Sequence, residues 1–390
     1  MTEAQASQKF SANELGLVLS GGGARGAYQA GVLQALYEIH KESKISFSRI
    51  LTGVSAGAIN AAYMATQMDQ KDLGIAKMIS TWKNLNADSV FKTDYASVSR
   101  NAFKLVRGVS LGGFTEAMRP QKIGLLNTSP LCDLLTETLD FSRIQPVIEG
   151  GFLRAVAVTA TDYSTSFGVT FFQAEPQQTA WSSTQRFSLK AQLEPRHIMA
   201  STAIPIFFPP AEVENRYFGD GCLRNTAPLS PAIHLGAKKL IVVGVRKMRS
   251  LDEFQRPALA PSLGRVLSVL INAIFMDSVE IDLERLRIVN ESLLRLKKQG
   301  IHTPQRFLSA FYLHPSRDLA SLAQDRAENL PAIIRFLFRG LGTPGESAEL
   351  LSYLLFEPNY CQTLIELGYE DTLQRKAEIL QFLQEDFISG

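Results

Sequence analysis

Ser55 stands in Gly53-Val54-Ser55-Ala56-Gly57, with the short apolar run Arg49-Ile50-Leu51-Thr52 before it and the helix-forming run Ala58 to Ala65 behind it. A Gly-x-Ser-x-Gly between a strand and a helix is a nucleophile elbow. The chain turns so sharply there that only small residues, here Gly53 and Gly57, fit beside the serine. The hydroxyl is then held at the tip of the turn, at the positive end of a helix. A second turn of small residues, Gly21-Gly22-Gly23-Ala24-Arg25-Gly26, follows the apolar run Leu15 to Leu19. Such a loop lets the backbone approach a ligand and aims several N–H groups at one point. Two chemistries compete for it. Gly21, Gly23 and Gly26 fit the dinucleotide fingerprint, and a nucleotide- or anion-binding module is the alternative reading of the whole chain. That fingerprint wants an acidic residue at the end of the next strand, which instead closes on Leu51-Thr52-Gly53-Val54-Ser55. An oxyanion hole, in which preorganised N–H donors stabilise charge building on a carbonyl oxygen, suits a neighbouring serine better. Arg25 either adds positive charge there or pins the loop against a carboxylate; the sequence does not separate the two.

A serine hydroxyl is a poor nucleophile until a base takes its proton. The five histidines are His40, His197, His234, His302 and His314, and none sits in a turn of small residues. His40 ends a helical run, where a cation is favoured anyway; His197 follows Arg196 in another. Asp220, within Tyr217-Phe218-Gly219-Asp220-Gly221-Cys222-Leu223, is the stronger candidate. Asp-Gly between short apolar arms is equally a hairpin signal that needs no chemistry. The tight polar run Arg224-Asn225-Thr226-Ala227-Pro228 behind it suits the wall of a pocket. A carboxyl ordinarily titrates near ~3.9, so its surroundings must raise that value for it to serve as a base at neutral pH. The apolar, proline-stiffened run Met199 to Pro210 reads as the wall of an acyl pocket or as a buried connection.

The elements that must position these residues read as strand, turn, helix, strand, turn, helix within the first seventy residues. This implies parallel strands with helical crossovers, and so an α/β fold with a mainly parallel central sheet flanked by helices. Ala27 to His40 has helical spacing. Phe152 to Thr161 and Phe167 to Gln173 read as strands joined by a turn, and Lys239 to Val245 and Phe307 to Leu313 as further strands. Residues 84–130 mix charge with aromatics and read as a mobile lid or as an irregular helical insertion. Leu263 to Leu296 and the chain after Arg317 are helical in period. The expected organisation is a disordered tail over 1–12, a catalytic domain over 13–315 with its motifs in 13–245, and a helical C-terminal extension over 316–390.

At 390 residues with 45% hydrophobic and 20% charged residues, the chain has the composition of an ordinary globular protein with a large core. A net charge of +2 argues against a dedicated nucleic-acid binder. Cys132, Cys222 and Cys361 are odd in number and lack the paired spacing of a zinc site, which predicts buried free thiols in a reducing compartment and no metal. The first thirteen residues lack an apolar signal core, and Val266 to Met276 is too short to span a bilayer. A cytoplasmic location follows, with any contact with lipid made peripherally, at the membrane surface. The sequence leaves the oligomeric state open.

Taken together, the Gly21–Gly26 loop, the Ser55 elbow, the run from Ala200 to Pro210 and Asp220-Gly221, in this order, resemble the patatin-like phospholipase family. The resemblance spans about residues 13–245. It implies a Ser–Asp dyad in place of a triad, with Ser55 the nucleophile, Asp220 the base, and the N–H groups of Gly22, Gly23 and their neighbours the oxyanion hole. It also implies an acyl ester of a phospholipid, lysophospholipid or neutral lipid as substrate, and no metal or other cofactor. Cys222 departs from the pattern, since the family usually carries Gly or Ala after Asp-Gly; cysteine is small enough for the turn to survive.

Overall fold

The computed structural model describes residues 15–43, 47–92, 124–248, 262–275, 277–331, 335 and 344–384. The tail expected over 1–12, and most of the lid-or-insertion segment, lie outside the described residues.

Ten strands form one sheet: β1 (Leu15–Leu19), β2 (Ile50–Val54), β3 (Ala155–Asp162), β4 (Gly168–Ala174), β5 (Ser182–Ser183), β6 (Arg186–Lys190), β7 (Ala211–Val213), β8 (Arg216–Asp220), β9 (Lys239–Val243) and β10 (Ser309–Leu313). Its spatial order is β10-β9-β1-β2-β3-β4-β6-β5, and the first five of these run parallel. The apolar runs of β1, β2, β3 and β9 are buried along their whole length, as strands covered on both faces must be. Alternation then sorts them. Leu17 and Leu19 join one core, whereas Val18, with Ile50, Leu240 and Val242, joins the other.

The helices used below are α1 (Gly26–Ser43), α2 (Ala56–Thr66), α3 (Lys71–Asn84), α4 (Ser129–Thr138), α5 (Pro195–Ser201), α6 (Leu263–Phe275), α7 (Asp277–Lys298), α8 (Pro344–Leu354) and α9 (Pro358–Gln374). The region expected to be helical over 263–296 is therefore two helices, α6 and α7. The first core lies between the sheet and α1, α2, α8 and α9; the second lies under α7 through Val279, Leu283 and Leu286. α1 and α9 cross so closely that a Cβ on Gly31 would stand 1.9 Å from the Ile365 carbonyl oxygen. α9 is thus packed directly on the helix that leaves the glycine loop.

The polar end of this sheet is built by a hand-over. β2 pairs with β3 up to Val54↔Thr159, and β8 takes up the same edge of β3 at Asp220↔Ala160, with β4 along the other edge. The hairpin turn that Asp220-Gly221 might have made lies instead at Glu214-Asn215, between β7 and β8, where both residues have positive φ. Asp220 ends β8 and opens a 3₁₀ turn over Gly221–Leu223.

Candidate active site

Ser55 sits between the last residue of β2 and the first of α2, with φ 54° and ψ −126°. A non-glycine residue there is strained, and the surroundings must hold it. They do so from three sides. The Ser55 N–H donates to Ser201 Oγ at 2.9 Å, and that hydroxyl donates to the Thr159 carbonyl at 2.7 Å. The Ser55 carbonyl accepts from Ala58 N–H at 2.8 Å. Beneath it, a Cβ on Gly57 would lie 2.3 Å from the Leu19 carbonyl oxygen, so only glycine lets the elbow seat on the end of β1.

Asp220 is brought to the same point by the hand-over of strands. A Cβ on the next residue, Gly221, would stand 2.5 Å from Val54 Cγ2, the residue before the serine. Asp220 Oδ1 accepts from the Cys222 N–H at 2.9 Å. Oδ2 has no partner of ordinary hydrogen-bond geometry, although it is buried. The Ser55 hydroxyl acts on the carboxylate as a hydrogen-bond donor that pulls its pKa down. Burial raises the Asp220 pKa to about 6, against the lowering pull of Ser55 and of the Cys222 N–H and thiol. The carboxylate therefore has the character of a base that can work near neutrality. Burial, and then the neighbouring Asp220 charge, push the Cys222 thiol well up, so it stays a neutral S–H that can donate to the carboxylate.

The glycine loop closes the third side. A Cβ on Gly21 would meet Cys222 Sγ at 2.4 Å and Ser55 Cβ at 3.2 Å, so loop, elbow and Asp220 turn touch one another. Within the loop, the Arg25 N–H is taken by the Gly22 carbonyl and the Gly26 N–H by Gly23. Gly22 caps the 3₁₀ turn Gly23–Arg25 and Gly23 opens it, so their N–H groups have no intrahelical acceptor. Neither donates to another loop or strand among the described residues. Arg25 turns away from this cup. Its guanidinium is buried and bonded to Ser352 Oγ (2.8 Å from Nε) and Glu349 Oε2 (2.5 Å from Nη2). Of the two roles open to Arg25 in the sequence, its side chain pins the loop.

An apolar cavity runs from Gly23 and Ser55 between Trp82 of α3, Leu135 of α4, Phe208 and Phe356. The cavity is narrow: the centre of a water molecule can reach only about 30 Å³ of it. Of the run Met199 to Pro210, Thr202, Ile204 and Phe208 line this cavity and Ser201 fixes the elbow.

None of the five histidines lines the cavity. His197 caps α5, its Nδ1 accepting the Glu194 N–H at 3.0 Å, and His234 stacks on Trp181. Cys132, Cys222 and Cys361 are free thiols, and Cys132 is only half-buried. Among the described residues no cluster of acids, cysteines and histidines could hold a metal ion, and no helix is long and apolar enough to cross a membrane.

The patatin-like phospholipase family model matches residues 17–233, more than half of the chain. The chain belongs to the patatin-like phospholipase family. The match contains the glycine loop, the elbow and Asp220. No curated protein matches the sequence. Among solved structures, human GIVD cytosolic phospholipase A2 in complex with methyl gamma-linolenyl fluorophosphonate aligns at 13% identity and TM-score 0.43, over 95% of this chain and 58% of that one. VipD from Legionella pneumophila aligns at 13% identity and TM-score 0.32, over 94% and 67%. The chain thus spans about three fifths to two thirds of the length of these proteins.

Proposed function

We propose that the protein cleaves acyl esters of lipids through a Ser55–Asp220 dyad, in the manner of a phospholipase or lysophospholipase. The observation that carries this reading is the buried Asp220 carboxylate, with Oδ2 unpaired, placed ahead of the strained Ser55 elbow by the hand-over from β2 to β8. In the first step Asp220 takes the proton of the Ser55 hydroxyl as Oγ attacks the ester carbonyl carbon. The oxyanion is held by the N–H groups of Gly22 and Gly23, which donate to no other loop or strand among the described residues. The tetrahedral adduct collapses, the leaving alcohol takes the proton from Asp220, and an acyl-enzyme remains. Water, deprotonated by the same carboxylate, then attacks the acyl carbon and releases the fatty acid and Ser55. The acyl chain occupies the cavity between Trp82 and Phe356, whose apolar walls favour methylenes.

The faces that glycine frees in the loop are filled by protein: Cys222 against Gly21, Val245 against Gly22, and Tyr353 against Gly23. This favours close packing over a phosphate cradle, so the nucleotide reading gains nothing. The test is an alkyl fluorophosphonate with mass mapping of the adduct, run beside hydrolysis of a lysophospholipid. Labelling at Ser55, lost together with hydrolysis in Ser55→Ala and Asp220→Asn variants of unchanged circular dichroism, is the expected result. An unlabelled wild-type protein, or a variant that keeps near-full activity, overturns it.

A further inference from the structure

An oxyanion hole works only if its donors are already in place when charge develops. A run of three glycines holds its own shape poorly. Part of what fixes this one comes from outside residues 17–233, which the family model matches. Arg25, the loop's long side chain, reaches into α8, more than three hundred residues along the chain. Its Nε and Nη2 donate to Ser352 Oγ at 2.8 and 2.5 Å, and Nη2 donates to Glu349 Oε2 at 2.5 Å. Ser352 Oγ in turn donates to the Glu349 carbonyl, which locks the hydroxyl as an acceptor for the guanidinium. The Tyr353 ring lies over the same guanidinium, 4.8 Å from its carbon. The backbone of α8 makes the second contact. Gly23 has φ +56°, and a Cβ there would stand 2.3 Å from the Tyr353 carbonyl oxygen, so α8 bears directly on the residue that offers an N–H to the cup.

We infer that α8 positions the oxyanion loop, with Glu349 and Ser352 as positioning residues that act through Arg25. The inference rests on the proposed Ser55 chemistry and adds to it the part of the chain after residue 233, where the family match ends. Burial opposes the Arg25 charge, and Glu349, together with Tyr353 and Tyr360, more than offsets it; Glu349 is itself held ionised against burial by Arg25 first, and then by Asn272 and Arg246. The pair is therefore a fixed strut between helix and loop. Glu349 does not touch the cavity, and Phe356, which does, follows two residues after α8. Loss of the Glu349 charge should therefore alter the loop without altering how substrate is held.

The experiment compares wild type, Glu349→Gln and Ser352→Ala in steady-state hydrolysis of a short-chain p-nitrophenyl ester and in the rate of fluorophosphonate labelling. For Glu349→Gln the expected result is a fall in kcat of tenfold or more with KM within twofold of wild type. Labelling should slow by a similar factor yet reach full stoichiometry at Ser55. That split marks a loss of transition-state stabilisation alone. Ser352→Ala, which leaves the ion pair standing, should show a smaller fall of the same kind, and it carries the test if Glu349→Gln does not fold. Wild-type kcat in the folded variant, or a rise in KM with kcat kept, overturns the role of α8 while Ser55 still labels in wild type. A wild-type protein that does not label overturns the Ser55 chemistry, and this inference with it.

Discussion

Val54 and Asp220 occupy successive places along one edge of β3, Val54 opposite Thr159 and Asp220 opposite Ala160. Two segments whose meeting residues stand 166 positions apart in sequence, one parallel to β3 and the other antiparallel, thus meet end to end. The residue after Val54 is the serine of the elbow, so sheet register alone fixes where the carboxylate stands relative to the hydroxyl. Register is a strong determinant because a one-residue slip would turn Asp220 to the opposite face of the sheet.

The raised pKa of Asp220 sets a pH dependence with a definite sign. With the carboxyl at about 6 in the folded protein, the base is protonated and idle below that value. The kcat/KM profile, which reports the free enzyme, should therefore rise about tenfold per pH unit up to about 6 and then level. A profile flat from pH 4.5 to 8 would remove Asp220 from the proton transfer.

The same shift acts on stability. The folded pKa lies above the ordinary value of 3.8, so folding favours the neutral carboxyl. This contribution is fully present below pH 3.8 and is lost as pH rises through about 6. Above that, burying the ionised form costs about 3 kcal/mol, from a shift of roughly two units at 1.36 kcal/mol each. Asp220→Asn should match wild type in urea unfolding near pH 3.5 and exceed it by about 3 kcal/mol at pH 7. An equal difference at both pH values would refute the assignment.

Ser201 holds the elbow from behind, its hydroxyl bridging the Ser55 N–H and the Thr159 carbonyl. Ser201→Ala leaves both buried groups without a partner, at about 1–3 kcal/mol for each. We expect about 2–6 kcal/mol less stability and a fall in kcat of tenfold or more as the strained Ser55 backbone relaxes. Denaturant unfolding and ester turnover measure the two effects separately.

How far these features could be read from sequence depends on how local their causes are. The elbow and the glycine loop were legible because close backbone approach demands small residues at fixed spacing, and the strand and helix on either side carry their own periodicity. The α/β order followed from the same runs. Asp220 was legible only as an Asp-Gly awaiting a partner, since a hairpin has the same signature; the register of β8 decides between the two. Ser201 looked like any small residue in an apolar run, because its role comes from residues 42 and 146 positions away. Glu349 carried no signal, for an acid on a helix is ordinarily a solvated surface group, and only the approach of α8 to Gly23 makes it a partner for Arg25. The short β5, β6 and β7 were missed because pairing with β6, β4 and β8 respectively, more than pattern, makes them strands.

Gly57 separates crowding from backbone strain. Its missing Cβ would fall 2.3 Å from the Leu19 and 2.6 Å from the Ser20 carbonyl oxygens, both on fixed backbone, and its φ is not in the left-handed region. Gly300 is the reverse case, with φ +73° and nothing within 4 Å. Gly57→Ala should cost about 3 kcal/mol or more and abolish turnover. Gly300→Ala should cost about 1–2 kcal/mol and leave turnover intact. If urea midpoints showed the reverse order, the elbow would be looser than the structure has it.

The narrow cavity predicts a chain-length effect. Leu135 on α4 is buried and lines the cavity, in which the centre of a water molecule reaches only about 30 Å³. A longer side chain there takes up room that an acyl chain needs. If Leu135→Phe excludes two or three methylenes, each worth about 0.8 kcal/mol of burial, the loss is about 2 kcal/mol, or roughly thirtyfold. Across a series of p-nitrophenyl esters, kcat/KM for the long chains should fall by about that factor in Leu135→Phe, while the acetate and butyrate stay within twofold of wild type. A uniform fall across all lengths would mean that the acyl chain lies elsewhere and that Leu135 serves packing alone.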